Sequence, residues 1–236
     1  MRDAAAVTAM SVPSNRDWFG LAWKSIAWGV LLGSIIYYVR RDALHYLFHY
    51  TPESFKGFWS DRILIRTHVA CAVTMIFTGS FQFWTGLRMR YMVLHVWLGR
   101  VFLLTGTFVA SSALYLGQHP RTGGIVMGIG LMFNGLFWLA AASIAYYAIR
   151  LGNVQVHKDW MIRTYVLACA GIVGDRIIPD MTFMARRIGI DALNDISGWA
   201  NWAVPLMVTE VILQIRRLQK MRRPKKVTLP RRVGTV

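Results

Sequence analysis

Long apolar stretches alternate with short, mostly basic connectors along the chain. A helix that crosses a bilayer needs about 20 predominantly apolar residues, and six stretches are long enough. The connectors between the second and fifth stretches are short, so these four helices are expected to be antiparallel neighbours. The six predicted spans are residues 18–39, 63–86, 92–116, 124–149, 160–178 and 196–215.

The pattern predicts an all-α integral membrane protein with about six transmembrane helices. The second to fifth helices would form an up-and-down four-helix core, flanked by the first and the sixth. Residues 1–17 would be an N-terminal cytoplasmic segment, 18–215 the transmembrane domain and 216–236 a basic cytoplasmic tail. A five-helix alternative remains open, in which the sixth stretch lies on the membrane surface because it contains Pro205 and Glu210.

The composition supports a membrane location. Hydrophobic residues make up 55% of the chain and charged residues 16%, whereas soluble domains have roughly 25% charged residues. In a soluble protein the net charge of +16 would suggest nucleic-acid binding. Here the basic residues lie in the connectors and the tail, which favours anionic lipid as a partner and excludes nucleic acid. The tail is also a candidate docking segment for other subunits of a membrane complex.

The orientation follows from the basic residues outside the spans. With both termini in the cytoplasm, fifteen Lys and Arg residues lie on that side and seven on the other. The excess is expected on the cytoplasmic side. Nine of the fifteen belong to the tail, so the prediction that both termini are cytoplasmic depends on it.

Four of the six histidines fall near span ends, as two pairs at opposite membrane faces. His95 and His157 lie at the cytoplasmic face, and His68 and His119 at the other. A b-type haem needs two imidazoles from different helices at matching depth, so the pattern predicts two haem b sites in a transmembrane electron carrier. The alternative is that these are interfacial histidines bonded to headgroups, carbonyls or carboxylates.

Charged residues inside spans are costly and need partners. Glu210 lies in the sixth span, and Arg163, one turn into the fifth, is its expected ion-pair partner. The pair is either structural or part of a pocket for an anionic or quinone-like headgroup, in which Arg100 and Arg163 would be the basic residues. No nucleotide loop, catalytic triad or metal-ligand motif is present in the sequence, so no catalytic residue and no metal ligand is assigned.

Two strings at the starts of the third and fifth spans resemble a known family: LHVWLGRVF from residue 94 and HKDWMIR from residue 157. They are similar to the HxWLGR and HxxWMxR elements of domain-of-unknown-function family 2306, and the resemblance covers residues 63–178. It implies a bacterial inner-membrane protein with a four-helix core, but no reaction. Phe102 stands where many members have Tyr. The paired-histidine core is also similar to cytochrome b561-type bundles, and such a likeness of fold does not establish function.

Three functions are compatible with these observations. The first is a haem-binding electron carrier with quinone as a candidate redox partner, so that any enzymatic activity would be that of an oxidoreductase. The second is a non-catalytic accessory or assembly subunit of a larger membrane complex. The third is a transporter or lipid-binding protein that uses Arg163 and Glu210.

Overall fold

The computed structural model describes residues 15–53, 55, 57–120, 124–172 and 186–222. Helices dominate this part of the chain, which contains no strand, as predicted for an all-α protein. A π-helical turn at Val39–Ala43 joins the first two helices, and a single 3-10 turn, Trp59–Asp61, precedes the third. The α-helices are α1 (Asn15–Tyr38), α2 (Leu44–Phe48), α3 (Arg62–Gln82), α4 (Thr85–Arg90), α5 (Met92–Gln118), α6 (Ile125–Arg150), α7 (Val154–Ala168) and α8 (Ile190–Arg222).

Within the described residues, four helical stretches are long and apolar enough to cross a membrane: Trp59–Gln82, α5, α6 and α8. The chain is therefore a multi-pass membrane protein, and the predicted count of six spans is not confirmed. The first predicted span corresponds to α1, which is not among the four. The fifth, 160–178, corresponds to the 15-residue α7 and then runs into residues outside the described part.

Helix α7 begins at Val154, inside the segment that the sequence pattern assigned to a connector. The cause is a side-chain cap, because the Asn153 carboxamide oxygen accepts the backbone N–H of Val156 at 3.1 Å. The cap adds a polar turn with Gln155, His157 and Asp159 to the start of the helix. His157 and Asp159, which the sequence pattern assigned to a connector, therefore lie on a helix.

The second to fifth predicted helices form the expected core. Helix α3 packs on α5, α5 on α6, α6 on α7, and α7 closes the ring against α3. In such a ring α5 and α7 face each other diagonally and run in the same direction. Helix α8 covers α6 and α7 from outside, and the end of α1 packs on α3 through Ile35 and Ile76.

Glycines set how closely the helices approach. A Cβ on Gly130 of α6 would lie 2.5 Å from the carbonyl oxygen of Gly198 on α8. The backbones of Gly117 and Gly128, at facing ends of α5 and α6, are equally close. Lipid tails are as apolar as the side chains, so helices in a bilayer associate mainly through such close contacts.

We expect Gly130→Ala to lower the stability of the bundle by about 1–3 kcal/mol, because its methyl group would meet backbone that cannot move aside. The matched control is Gly33→Ala in α1, where an added Cβ has no atom within 4 Å. The control should be neutral or slightly stabilising, since alanine favours the helix. Unfolding in detergent micelles measures both changes, and equal stability of the two variants would contradict this packing.

Candidate functional site

His95 and His157 occupy equivalent positions at one end of the bundle. Each is the fourth residue of its helix, α5 or α7. The backbone N–H of His95 donates to the Tyr91 carbonyl at 3.1 Å, and that of His157 to the Asn153 carbonyl at 3.0 Å. Because α5 and α7 run in the same direction, the two histidines lie at the same end of the bundle, on diagonally placed helices.

The Nδ1 atoms of the two rings have different surroundings. His157 Nδ1 lies 2.9 Å from the carbonyl oxygen of Ala145 on α6. A carbonyl only accepts, so this nitrogen has the proton and the neutral ring keeps the lone pair on Nε2. His95 Nδ1 is buried without a hydrogen-bond partner among the described residues. His95 is within electrostatic range of both Arg88 and His157.

The other predicted pair, His68 and His119, is not brought together. His68 Nδ1 lies 2.7 Å from the Ser112 hydroxyl of α5, which marks its level in the bundle. His119 follows Ser112 by seven residues, roughly 10 Å along a helix. His119 is exposed, and its ring packs on Tyr115 of the same chain segment. The offset between His68 and His119 along the bundle depends on how α3 and α5 are aligned.

Arg100 and Arg163 lie in similar local structures but on different faces. Arg100 stacks over Trp97 at 4.9 Å, and Arg163 over Trp160 at 4.8 Å, each three residues after its tryptophan. Arg100 is exposed and Arg163 is buried. Arg100 follows His95 by five residues, and Arg163 follows His157 by six. Relative to its histidine, Arg163 is therefore turned about 100° further around its helix axis than Arg100 is. The predicted headgroup pocket shared by both arginines therefore does not form.

Arg163 instead contacts Glu210, the partner predicted from the sequence. Its Nε donates to Glu210 Oε2 at 2.9 Å, and Nη2 donates to the same oxygen. Nη1 donates to the Asp159 carbonyl oxygen at 3.0 Å. Gln214 supplies a further hydrogen bond to the other carboxylate oxygen of Glu210. Each of the three guanidinium nitrogens thus donates a hydrogen bond within the protein.

A second ion pair between the same helices was missed by the sequence analysis. Arg217 Nη2 donates to Asp159 Oδ2 at 3.0 Å, and Gln155 donates to Oδ1 at 2.8 Å. Asp159 had been placed in a connector and Arg217 in the tail. The spacing of the charged residues could have indicated this pair. Asp159 and Arg163 lie one turn apart on α7, and Arg217 and Glu210 face them in the reverse order on the antiparallel α8. The two pairs join α7 to α8.

The donor chemistry of this end of the bundle fits one b-type haem. His95 and His157 come from different helices at the same end of the bundle, and a b-type haem would take two imidazoles from different helices. A carbonyl that fixes the second nitrogen of a ligating histidine, as Ala145 does for His157, is a common feature of such sites. In the described part of the chain, no cluster of three or more His, Cys, Asp or Glu residues is arranged to hold a metal ion.

One comparison with known proteins gives a match. The family described as "Predicted membrane protein (DUF2306)" matches residues 65–213, more than half of the chain. No curated protein and no solved structure matches. The matched region begins in α3 and ends in α8, so it covers nearly all of the four-helix core and the Arg163–Glu210 pair, while Arg217 lies four residues beyond it.

We expect Glu210→Met to destabilise the protein more than Arg163→Met. The Arg163 side chain is 9% exposed and that of Glu210 42%, so losing Glu210 leaves a buried cation without its counter-charge. Breaking a fully buried pair costs roughly 3–5 kcal/mol, and with one partner half-exposed we expect about 2 kcal/mol. The double variant should recover part of the loss. Unfolding in detergent micelles gives the order, and a smaller loss for Glu210→Met than for Arg163→Met would contradict it.

Proposed function

The chain belongs to the DUF2306 family of predicted membrane proteins, and we propose that it is an electron carrier that holds one b-type haem between His95 and His157. The observation that supports this most strongly is the equivalent position of the two histidines, each the fourth residue of one of two parallel, diagonal helices. The sequence predicted two haem sites, and we propose only the one between His95 and His157. His68 and His119 have no part in it.

The surrounding residues have roles that suit such a site. The carbonyl of Ala145 orients the His157 ring and keeps Nε2 as the ligand atom. Arg88, in the short helix α4, is a positive charge within electrostatic range of His95, and it would offset the negative charge of haem propionates. A bound haem would supply reversible one-electron chemistry, while the protein fixes its ligands and its depth in the membrane.

The placement of basic residues supports a cytoplasmic position for this face. The ion pairs make α8 antiparallel to α7, so the end of α8 lies beside the start of α7. Arg88 and Arg90 of α4, Arg150 at the end of α6 and Lys158 of α7 lie at the same end. The positive-inside rule then favours a cytoplasmic position for this face, together with residues 216–222, which continue α8. Anionic lipids are its expected partners, and Arg100 is exposed to meet their headgroups.

The test is a reduced-minus-oxidised absorption spectrum of the protein purified from membranes. We expect Soret and alpha bands of a b-type haem in the wild-type protein. His95→Ala and His157→Ala should each reduce the bound haem at least tenfold, because one axial ligand is lost. His119→Ala is the matched control, since among the described residues its ring contacts Tyr115 of α5.

Elution of all variants as a single folded species in size-exclusion chromatography separates loss of haem from loss of fold. A folded wild-type protein with no haem bands after expression with added haem would contradict the proposal. That result would favour the accessory-subunit function instead. Haem bands that persist in His95→Ala and His157→Ala would equally contradict the assignment of these two ligands.

A further inference from the structure

A second candidate site lies deeper in the bundle, away from His95 and His157. It is a cavity of about 220 Å³ between α3, α5, α6 and α8. Trp138 and Trp202 supply aromatic walls, and most of the remaining lining is aliphatic or small. None of the described residues that line it is Asp, Glu, Lys or Arg. The lining therefore suits an uncharged occupant with a flat apolar surface.

Three buried polar atoms in this wall lack a hydrogen-bond partner among the described residues. They are the Oδ1 atoms of Asn134 and Asn201 and the Nε1 atom of Trp138. Trp138 is only 3% exposed. Asn134 and Trp138 are one turn apart on α6, and Asn201 approaches from α8. Buried polar atoms are nearly always paired in native proteins, so three unpaired atoms around one cavity point to a bound group.

His68 adds a fourth polar group to the wall. The Ser112 hydroxyl donates to the Val109 carbonyl at 2.9 Å, so it accepts the hydrogen bond from His68 Nδ1. The neutral imidazole then has its lone pair on Nε2. Together the wall offers three acceptors, on Asn134, Asn201 and His68, and donors in the Trp138 indole and the two asparagine amino groups. A group that both donates and accepts hydrogen bonds matches this set.

The size and the rim of the cavity narrow the choice further. Pockets for drug-sized ligands measure roughly 300–1,000 Å³, so about 220 Å³ accommodates a single ring. The lining reaches Tyr38 at the end of α1 and the exposed Gly171. This rim lies where α1 borders the bundle, and an apolar tail would leave there into lipid.

We propose that the cavity binds the head group of a quinol, an uncharged aromatic ring with two hydroxyl groups. The two hydroxyls donate to Asn134 on α6 and Asn201 on α8, and one hydroxyl oxygen accepts from Trp138. The ring packs between the tryptophan side chains. This binding site does not require a haem, and its test does not use one.

The test is calorimetric titration of the purified protein with hydroquinone under nitrogen, compared with 1,4-dimethoxybenzene, which has the same ring without donors. Hydroquinone should bind saturably, and the dimethyl ether about tenfold more weakly or not at all, because it cannot donate. Asn134→Leu should weaken hydroquinone binding at least tenfold. Ser143→Leu, at an exposed position of the same helix, is the matched control and should bind like the wild type.

Asn134→Leu is also expected to melt at the same or a higher temperature than the wild type, since it removes an unpaired buried oxygen. A loss of binding together with retained stability separates ligand recognition from folding. If Asn134→Leu fails to fold, Asn201→Leu on α8 gives the same comparison. Non-saturable heats, equal affinity for the two probes, or unchanged binding in the folded variant would overturn the proposal and leave water as the occupant.

Discussion

Helices that share a bilayer gain little from hydrophobic burial against each other, so their association depends on how closely their backbones approach. In this protein that approach is set by glycine. Gly117 meets Gly128 between α5 and α6, and Gly130 meets Gly198 between α6 and α8. These contacts fix α6 between its neighbours, and α6 in turn keeps α5 and α7 on opposite sides of the bundle. The placement of His95 and His157 on diagonal helices at one end of the bundle follows from this arrangement.

The ion pairs solve a different problem, the presence of charge on a helix in the bundle core. Asp159 and Arg163 are both buried on α7, and neither would be tolerated there alone. Arg217 and Glu210 on α8 neutralise them in two adjacent pairs. Because each pair needs a partner from the other helix, α8 is held beside α7 in one register. The start of α7, with His157, is thereby held at a constant depth.

Much of the fold was predictable because it depends on local pattern. Apolar length gave the four core helices, and the scarcity of carboxylates in the spans made Glu210 the natural partner of Arg163. The start of α7 was misplaced because one capping side chain, Asn153, extends the helix through polar residues. Asp159 was consequently assigned to a connector. Arg217 was assigned to the tail because the apolar pattern ends at residue 215, whereas α8 continues to Arg222.

What the sequence could not provide is the relative rotation and alignment of helices. Their position at the same membrane face suggested that His68 and His119 form a pair. The alignment of α3 on α5 instead places His68 against Ser112. The cavity could not be predicted for the same reason, since it depends on the rotation of the helices around it. Asn134 and Asn201 read as ordinary polar residues between helices, and only their orientation around a common space distinguishes them.

The central claim is that the bundle has one haem site, at the end where α5 and α7 begin. The most direct measurement is the number of haem groups per chain in protein expressed with added haem, from a pyridine haemochrome assay and a quantitative amino-acid analysis. The account predicts one haem per chain. A value of zero would contradict the claim, and a value of two would require a second ligand pair that the described part of the structure does not bring together.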